Sequence, residues 1–526
     1  MVYRGKPSPG CENCRKAKKR CGLERPACQR CVQLRKACSG YRDTTGLQIQ
    51  DETWNVQQKA QRQSAKARRT ASIETTPEWS DGDSSAPEEL IPTTEIATYA
   101  DLASVSLLLS IKPKPGDVAT SYFFHQFTSP SHWPFLRDLQ QTTKDPCLEL
   151  AIKACGMAAL DNVESVVMGR QYAQSMYGEA LGQLNDRLRD PKRCRSDASL
   201  MAVSMLGFYE NLTCDGRESF RSWKAHIRGA TQLLRIRGTG QFESKAGRAL
   251  FRGTRSQILV LSLWTDFAPP AFLQEYQQAL EDMSPEQATV QPMDDLMQLF
   301  SDFAKLRNTV VRRDVVNQAA ADEAAELERK FLKWQEDVVA ARPIWRYREV
   351  EVAESEDVWN GRVLAYSAAM IPTAYNTWRA VRIMLSRTRE WLCRRLPFAE
   401  DEREEQMQLF RRTRRQLTDD ICATIPVSLG HVKIEESSLC VLSSAYSAVW
   451  PLFFAATAVF ERITSDSIVV QHGVPQFTRA TSSAVAQASW ILGRLEYISK
   501  KVGLRWADGV AATLRGDLRA YEQWVS

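Results

Sequence analysis

The chain has 526 residues, a net charge of +6, 44% apolar residues and 13 cysteines. That length exceeds what one core organises and implies two or three folding units, with apolar residue enough for a sizeable globular body. Met1 to Gly10 is polar and basic, which excludes a secretory signal at that position and leads us to expect an intracellular chain whose thiols stay free.

The charge is unevenly placed. Residues 1–70 carry 17 Lys and Arg against 5 Asp and Glu, a surplus of +12, so the rest of the chain carries −6. A basic head on a mildly acidic body points to a polyanion as the head's partner. Residues 1–42 form the first unit. Six cysteines fall within it: Cys11, Cys14, Cys21, Cys28, Cys31 and Cys38. Their pattern, C-x2-C-x6-C-x6-C-x2-C-x6-C, is a three-cysteine unit that occurs twice, the first copy opening at Cys11 and the second at Cys28. Closed structural zinc sites take four ligands. Six thiolates fill two such sites only by sharing two sulfurs, and the repeat makes the shared pair symmetry mates: Cys11 with Cys28, Cys14 with Cys31, or Cys21 with Cys38. Two zinc ions are the expected cofactors. Three disulfides would suit a secreted miniprotein, and one four-cysteine zinc with two spare thiols leaves the repeat unexplained. So short a segment has almost no apolar core, so metal binding and folding are expected as one event.

Between Cys14 and Cys21 stand Arg15, Lys16, Lys18, Lys19 and Arg20, interrupted only by Ala17. Guanine offers two acceptors in the major groove, and Lys and Arg are their usual partners. A basic run serving only nuclear import, or a cluster used for protein or RNA contact, are the competing readings. The absence of interleaved aromatics argues against RNA stacking.

The segment CENCRKAKKRCGLERPACQRCVQLRKAC, with Arg15, Lys18, Arg20 and Pro26 at fixed places, resembles the fungal binuclear zinc-cluster transcription factors. The resemblance implies that Cys11 and Cys28 are the bridging pair. It also implies that a first helix near Glu12–Lys18 points its carboxyl end into the major groove, over CGG-like half-sites. Lys18 matches the family's base-reading lysine. Lys18 and Lys19 are therefore assigned to base edges, and Arg15, Lys16 and Arg20 to phosphates. Ala17 stands where many relatives carry a basic residue.

Residues 43–70 read as a basic helical extension, with Lys59, Arg62, Lys66, Arg68 and Arg69 spread around it. Many relatives dimerise through a coiled coil here, but Leu47, Ile49, Trp54 and Val56 do not sustain heptads, which leaves a homodimer and the half-site spacing open. Residues 71–111 hold eight acidic residues and no basic one. The part from 71 to 96 reads as an acidic disordered linker.

From residue 97 to 526 helical periodicity dominates, and an all-α regulatory domain is expected. Leu148, Ala151, Ile152, Cys155 and Ala158 share one helix face. Phe220, Trp223, Ile227, Ala230 and Leu234 share another, flanked by Arg221, Lys224, Arg228 and Arg235, with Gly238 placed to end the helix. Leu439 to Phe460 is uncharged over 22 positions. It is read as a buried core helix broken at Pro451, and no membrane span is expected. SWKAHIRGATQLLRIRG and WPLFFAATA resemble parts of the fungal-specific regulatory domain. Core packing is expected for Trp223, Phe453 and Phe454, and a local hydrogen bond for His226. Phosphate-loop, zinc-protease, nucleophile-elbow and dinucleotide motifs are missing, and no two of the five histidines lie at metal spacing, so no enzyme activity is expected.

With the resemblance, these features imply a nuclear, sequence-specific regulator of RNA polymerase II genes, expected to bind double-stranded DNA and engage the transcription machinery. Control of one pathway, such as secondary metabolism, is a common role for the class. A ligand-gated sensor or a repressor on the same scaffold is the alternative, and the sequence names no small-molecule ligand.

Overall fold

A computed structural model of the chain describes residues 11–38 and 113–516. Excepted are Lys18, Arg20, Leu23, Arg25, Pro26 and the stretches 129–132, 215–216, 266–267, 284–291, 369, 434–440, 466–468, 472–473 and 477–478. The sequence expectations for residues 43–70 and 71–96 lie outside the described residues. The chain divides into two compact units, Met1–Glu52 and Thr53–Ser526.

In the first unit two short helices start immediately after homologous cysteines: α1 (Glu12–Lys16) after Cys11 and α2 (Gln29–Gln33) after Cys28.

In the second unit the chain itself sets where many helices begin. Asp145, Ser196, Ser244 and Asn317 each accept a hydrogen bond from the amide three residues on, satisfying an otherwise orphaned donor. They start α5 (Pro146–Glu164), α7 (Asp197–Thr213), α9 (Lys245–Trp264) and α12 (Gln318–Ala341). Before α5 come α3 (Pro115–Phe127) and α4 (Leu136–Thr143), and α6 (Gly169–Leu188) follows it. Helix α5 lies at the centre of this group and packs on α3, α6 and α7. Its Gly156 permits the approach to α3, since a Cβ there would stand 2.0 Å from the Ala119 carbonyl oxygen. The expected face Leu148, Ala151, Ile152, Cys155 and Ala158 is buried throughout.

Helix α8 (Arg217–Arg237) packs on α7, burying Trp223, Ile227, Ala230 and Leu234, and ends at Gly238 with a φ of +65°. The chain continues through α10 (Phe272–Glu281) and α11 (Pro292–Arg307) into a second group. This comprises α13 (Met370–Cys393), α14 (Glu400–Ser428), α15 (Val441–Ser465), α16 (Arg479–Lys500) and α17 (Trp506–Leu514). One continuous apolar core runs through both groups.

The body is largely helical, as expected, with two local features that the sequence reading did not anticipate. It contains the antiparallel hairpin β1 (Arg348–Glu351) with β2 (Arg362–Ala365), and a shorter one, β3 (Val469–Gln471) with β4 (Val474–Gln476). Strands of three or four residues show too little alternation to be recognised, and β1 is largely exposed. Asn360 and Gly361, next to β2 in the ten-residue connection, both take positive φ (+53° and +64°). The second feature is at Pro451, where α15 runs on unbroken. The ring costs a backbone bond, but burial of Val449, Leu452, Phe454, Ala455 and Val459 holds the helix together around it. By length and composition α15 could cross a membrane. Yet 61% of its apolar window is buried inside the protein, as in a core helix.

Candidate metal centre and nucleic-acid interface

The repeat in the sequence returns as a repeat in the backbone. The Lys19 amide donates to the Cys14 carbonyl and, at the matching place in the second half, the Lys36 amide donates to the Cys31 carbonyl, both at 3.0 Å. The Ala17 amide to Asn13 and the Leu34 amide to Arg30 form a second matched pair at 3.1 Å. Each half thus turns its chain after a one-turn helix in the same way, and each turn sends its third cysteine back towards the first.

The six sulfurs gather accordingly. Those of Cys11, Cys14, Cys21 and Cys28 lie within 4.8 Å of one another, and so do those of Cys11, Cys28, Cys31 and Cys38. The two groups have Cys11 and Cys28 in common. The Cys11–Cys28, Cys11–Cys31 and Cys14–Cys28 sulfurs are each 3.7 Å apart. A tetrahedron with zinc–sulfur bonds of about 2.3 Å has edges of about 3.8 Å. A disulfide would need about 2.05 Å, and all six thiols are free. The donor set therefore fits a pair of zinc ions with two sulfurs shared.

Cys11, Cys14, Cys28 and Cys31 are buried, while Cys21 and Cys38 are half-buried. Burial, together with the neighbouring Cys11, Cys28 and Cys21 thiols, pushes the Cys14 thiol far above its ordinary value. Four thiolates so placed require a cation between them. Amide donors also reach the sulfurs, with the Cys31 amide on Cys28 Sγ and the Cys11 amide on Cys21 Sγ, both at 3.4 Å. Asn13, which sequence reasoning passed over, ties the halves together. Its Nδ2 donates to the Ala37 carbonyl at 2.8 Å and to Cys31 Sγ at 3.8 Å. A lone asparagine carries no pattern that would have marked it.

Of the basic residues assigned to DNA, Lys16 and Lys19 are exposed. Arg15 belongs to α1, with its side chain outside the described residues, as are Lys18, Arg20 and Pro26.

In the body, the residues of the two resembling segments form core. Trp223 and Phe454 are buried, and the Trp223 ring lies 5.7 Å from that of Trp450. His226 Nε2 faces the Tyr177 hydroxyl at 3.4 Å, and that hydroxyl donates to Glu210 at 2.7 Å. The cavity beside Gly207, Phe208, Asn211, Trp223, His226 and Tyr446 measures ≈ 10 Å³, about the room of one water. Asn211, the first residue of a glycosylation-like triplet, is buried against Tyr446, where a glycan has no access. Cys147, Cys155, Cys194, Cys393 and Cys422 are buried thiols, and Cys440 lies outside the described residues.

A helix-borne, six-cysteine cluster followed by a large helical body defines a class of metal-dependent regulatory proteins. Residues 9–48 match the fungal Zn(2)-Cys(6) binuclear cluster domain, and residues 132–341 match the fungal specific transcription factor domain. The chain carries both domains, the two that the fungal binuclear zinc-cluster transcription factors combine. Its cluster domain binds two zinc ions. Both matched families are transcription-factor domains rather than enzyme domains. Over 134 residues, 26% of this chain, it is 25% identical to "Uncharacterized protein AN5342" of Emericella nidulans. That stretch spans 28% of the relative's length. No solved structure matches the chain.

Proposed function

We propose that the chain acts in the nucleus as a zinc-dependent, sequence-specific regulator of RNA polymerase II transcription, reading CGG-like half-sites through its head. The observation that carries this reading is the pair of four-sulfur groups sharing Cys11 and Cys28. Cys11, Cys14, Cys21, Cys28, Cys31 and Cys38 hold the two ions. All four positions of each ion are taken by thiolates, so the metal's contribution is structural, without an open position for catalysis. What the ions support is the basic turn after Cys14. There Lys18 and Lys19 address guanine N7 and O6, while Arg15, Lys16 and Arg20 hold phosphates and fix the register.

Residues 1–42 form the reading head, 43–70 a basic extension along the backbone, 71–96 an acidic spacer and 97–526 the regulatory domain that engages the transcription machinery. A homodimer would place two heads on paired half-sites, and the chain has no catalytic role. The ligand-gated alternative draws no support from the cavity beside His226, which is too small for a metabolite. Selection of bound duplexes from a randomised pool by the zinc-loaded full chain tests the proposal. Enrichment of CGG triplets that vanishes on chelation is expected, and binding indifferent to sequence would defeat it.

A further inference from the structure

The solvent face of α8 carries a row of cations that its structural role leaves unused. Its exposed positions from Arg221 onward are Arg221, Ala225, Arg228, Gln232 and Arg235. The opposite face is buried through Trp223, Ile227, Ala230 and Leu234. The three arginines repeat every seven residues, a spacing that keeps them on one side of the helix. They stand about 10.5 Å apart and span about 21 Å.

Arg221, Arg228 and Arg235 make no ion pair among the described residues. The buried arginines of the body are paired instead: Arg255 faces Asp294, Arg382 faces Glu328 and Arg414 faces Glu390. Lys224 lies beside the row, its ammonium pushed below its ordinary value by partial burial and by Arg228 and Arg221. Three guanidinium groups in line, unpaired among the described residues, with a fourth cation repelled by two of them, form a positive strip. Residues 71–526 are net negative, so overall charge does not account for it.

We infer that this face of α8 is a second polyanion-binding surface, which takes the phosphate backbone of duplex DNA while the zinc cluster holds the site. The inference rests on the head binding DNA, which brings phosphates to the body at high effective concentration. Charge and guanidinium geometry suffice for phosphate, which each fork engages through parallel N–H donors. The rival occupant is an acidic peptide, and the chain's own residues 71–111 have the charge for it. That segment would also bring Trp79, Leu90 and Ile91. Between the arginines the face offers only Ala225 and Gln232, with no exposed large apolar side chain to anchor them.

The test uses the full zinc-loaded chain on a duplex bearing its selected site, with affinity measured from 50 to 200 mM salt. Each phosphate contact contributes about 0.9 to the slope of log K against log salt. The triple variant Arg221→Gln, Arg228→Gln, Arg235→Gln should bind with a slope shallower by about 2–3, keeping its sequence preference and zinc requirement. The Arg→Lys triple should restore the slope, and Arg228→Gln alone should lower it by about one. Gln has a helix propensity close to that of Arg, so α8 is retained in these variants. An unchanged slope overturns the inference. So does an unchanged slope combined with lost affinity for a synthetic 71–111 peptide, which would assign the face to acidic peptide. A chain that discriminates no sequence in either form would defeat the CGG reading and leave the slope comparison intact.

Discussion

The sulfurs of Cys11 and Cys28 lie 3.7 Å apart, and each belongs to both four-sulfur groups. They are the first residues of the two repeats, and each sits just ahead of a helix whose first turn delivers the next cysteine.

This sharing ranks the cysteines. Removing Cys28 takes a ligand from both ions, whereas removing Cys38 takes a ligand from one. Zinc release is therefore expected at a markedly lower chelator concentration for Cys28→Ser than for Cys38→Ser, with loss of DNA binding following zinc loss in both. Chelator titration with a chromogenic zinc indicator measures it. Equal release from the two variants would mean that Cys28 does not bridge.

The basic turn separates readers of sequence from holders of register. Lys18→Ala should cost about 1–3 kcal/mol of discrimination between CGG and a mutated triplet. Arg20→Ala should weaken both duplexes alike and lower the salt slope by about one. Competition binding at fixed salt distinguishes the two. Uniform weakening by Lys18→Ala would reassign that lysine to the backbone.

What sequence could reveal here follows from how far apart the interacting residues lie. The metal centre was legible because its six ligands all fall between Cys11 and Cys38 at repeating intervals, so ligand chemistry and spacing appear together. The helix faces around Ile152 and Ile227 were legible for a similar reason, since period 3.6 is a local signal. Hairpin β1–β2 was hidden because such short strands carry no period and a ten-residue connection separates them. The break expected at Pro451 came from local propensity alone, and burial on the neighbouring helices outweighed it. Arg414 on α14 is buried against Glu390 on α13, a pairing between helices that no local pattern announces.

Distant pairing of this kind also sets the body's stability. Asp294 on α11 is buried between two arginines of α9, at 2.9 Å from Arg252 and 2.7 Å from Arg255. Burial works against the Arg255 charge and Asp294 offsets it. Asp294→Ala removes the carboxylate that both guanidinium groups face and is expected to cost about 3–5 kcal/mol. Thermal unfolding of the full chain should show the loss. Arg189→Ala, which removes an exposed i,i+3 pair with Asp186, should change the midpoint hardly at all. Comparable losses from the two variants would contradict the ranking by burial.

His226 gives the body a pH dependence with a definite sign. Burial pushes its imidazole down to about 4, against about 6.5 for an unperturbed histidine. Between those two values the unfolded chain takes up a proton that the folded chain excludes, because the ring sits against Tyr177 and the core. The histidine therefore costs no stability above pH 6.5, lowers it progressively as the pH falls towards 4, and has no further effect below. The residue as a whole keeps some exposure, so the loss amounts to about 1–2 kcal/mol rather than the full value of the shift. In His226→Gln that component disappears, while carboxylates titrating in the same window contribute equally to both proteins. The difference in urea midpoint between wild type and variant should consequently move in the variant's favour from pH 7 to pH 4.5. A difference that stays constant over that range would show that His226 is charged, or neutral, in both states alike.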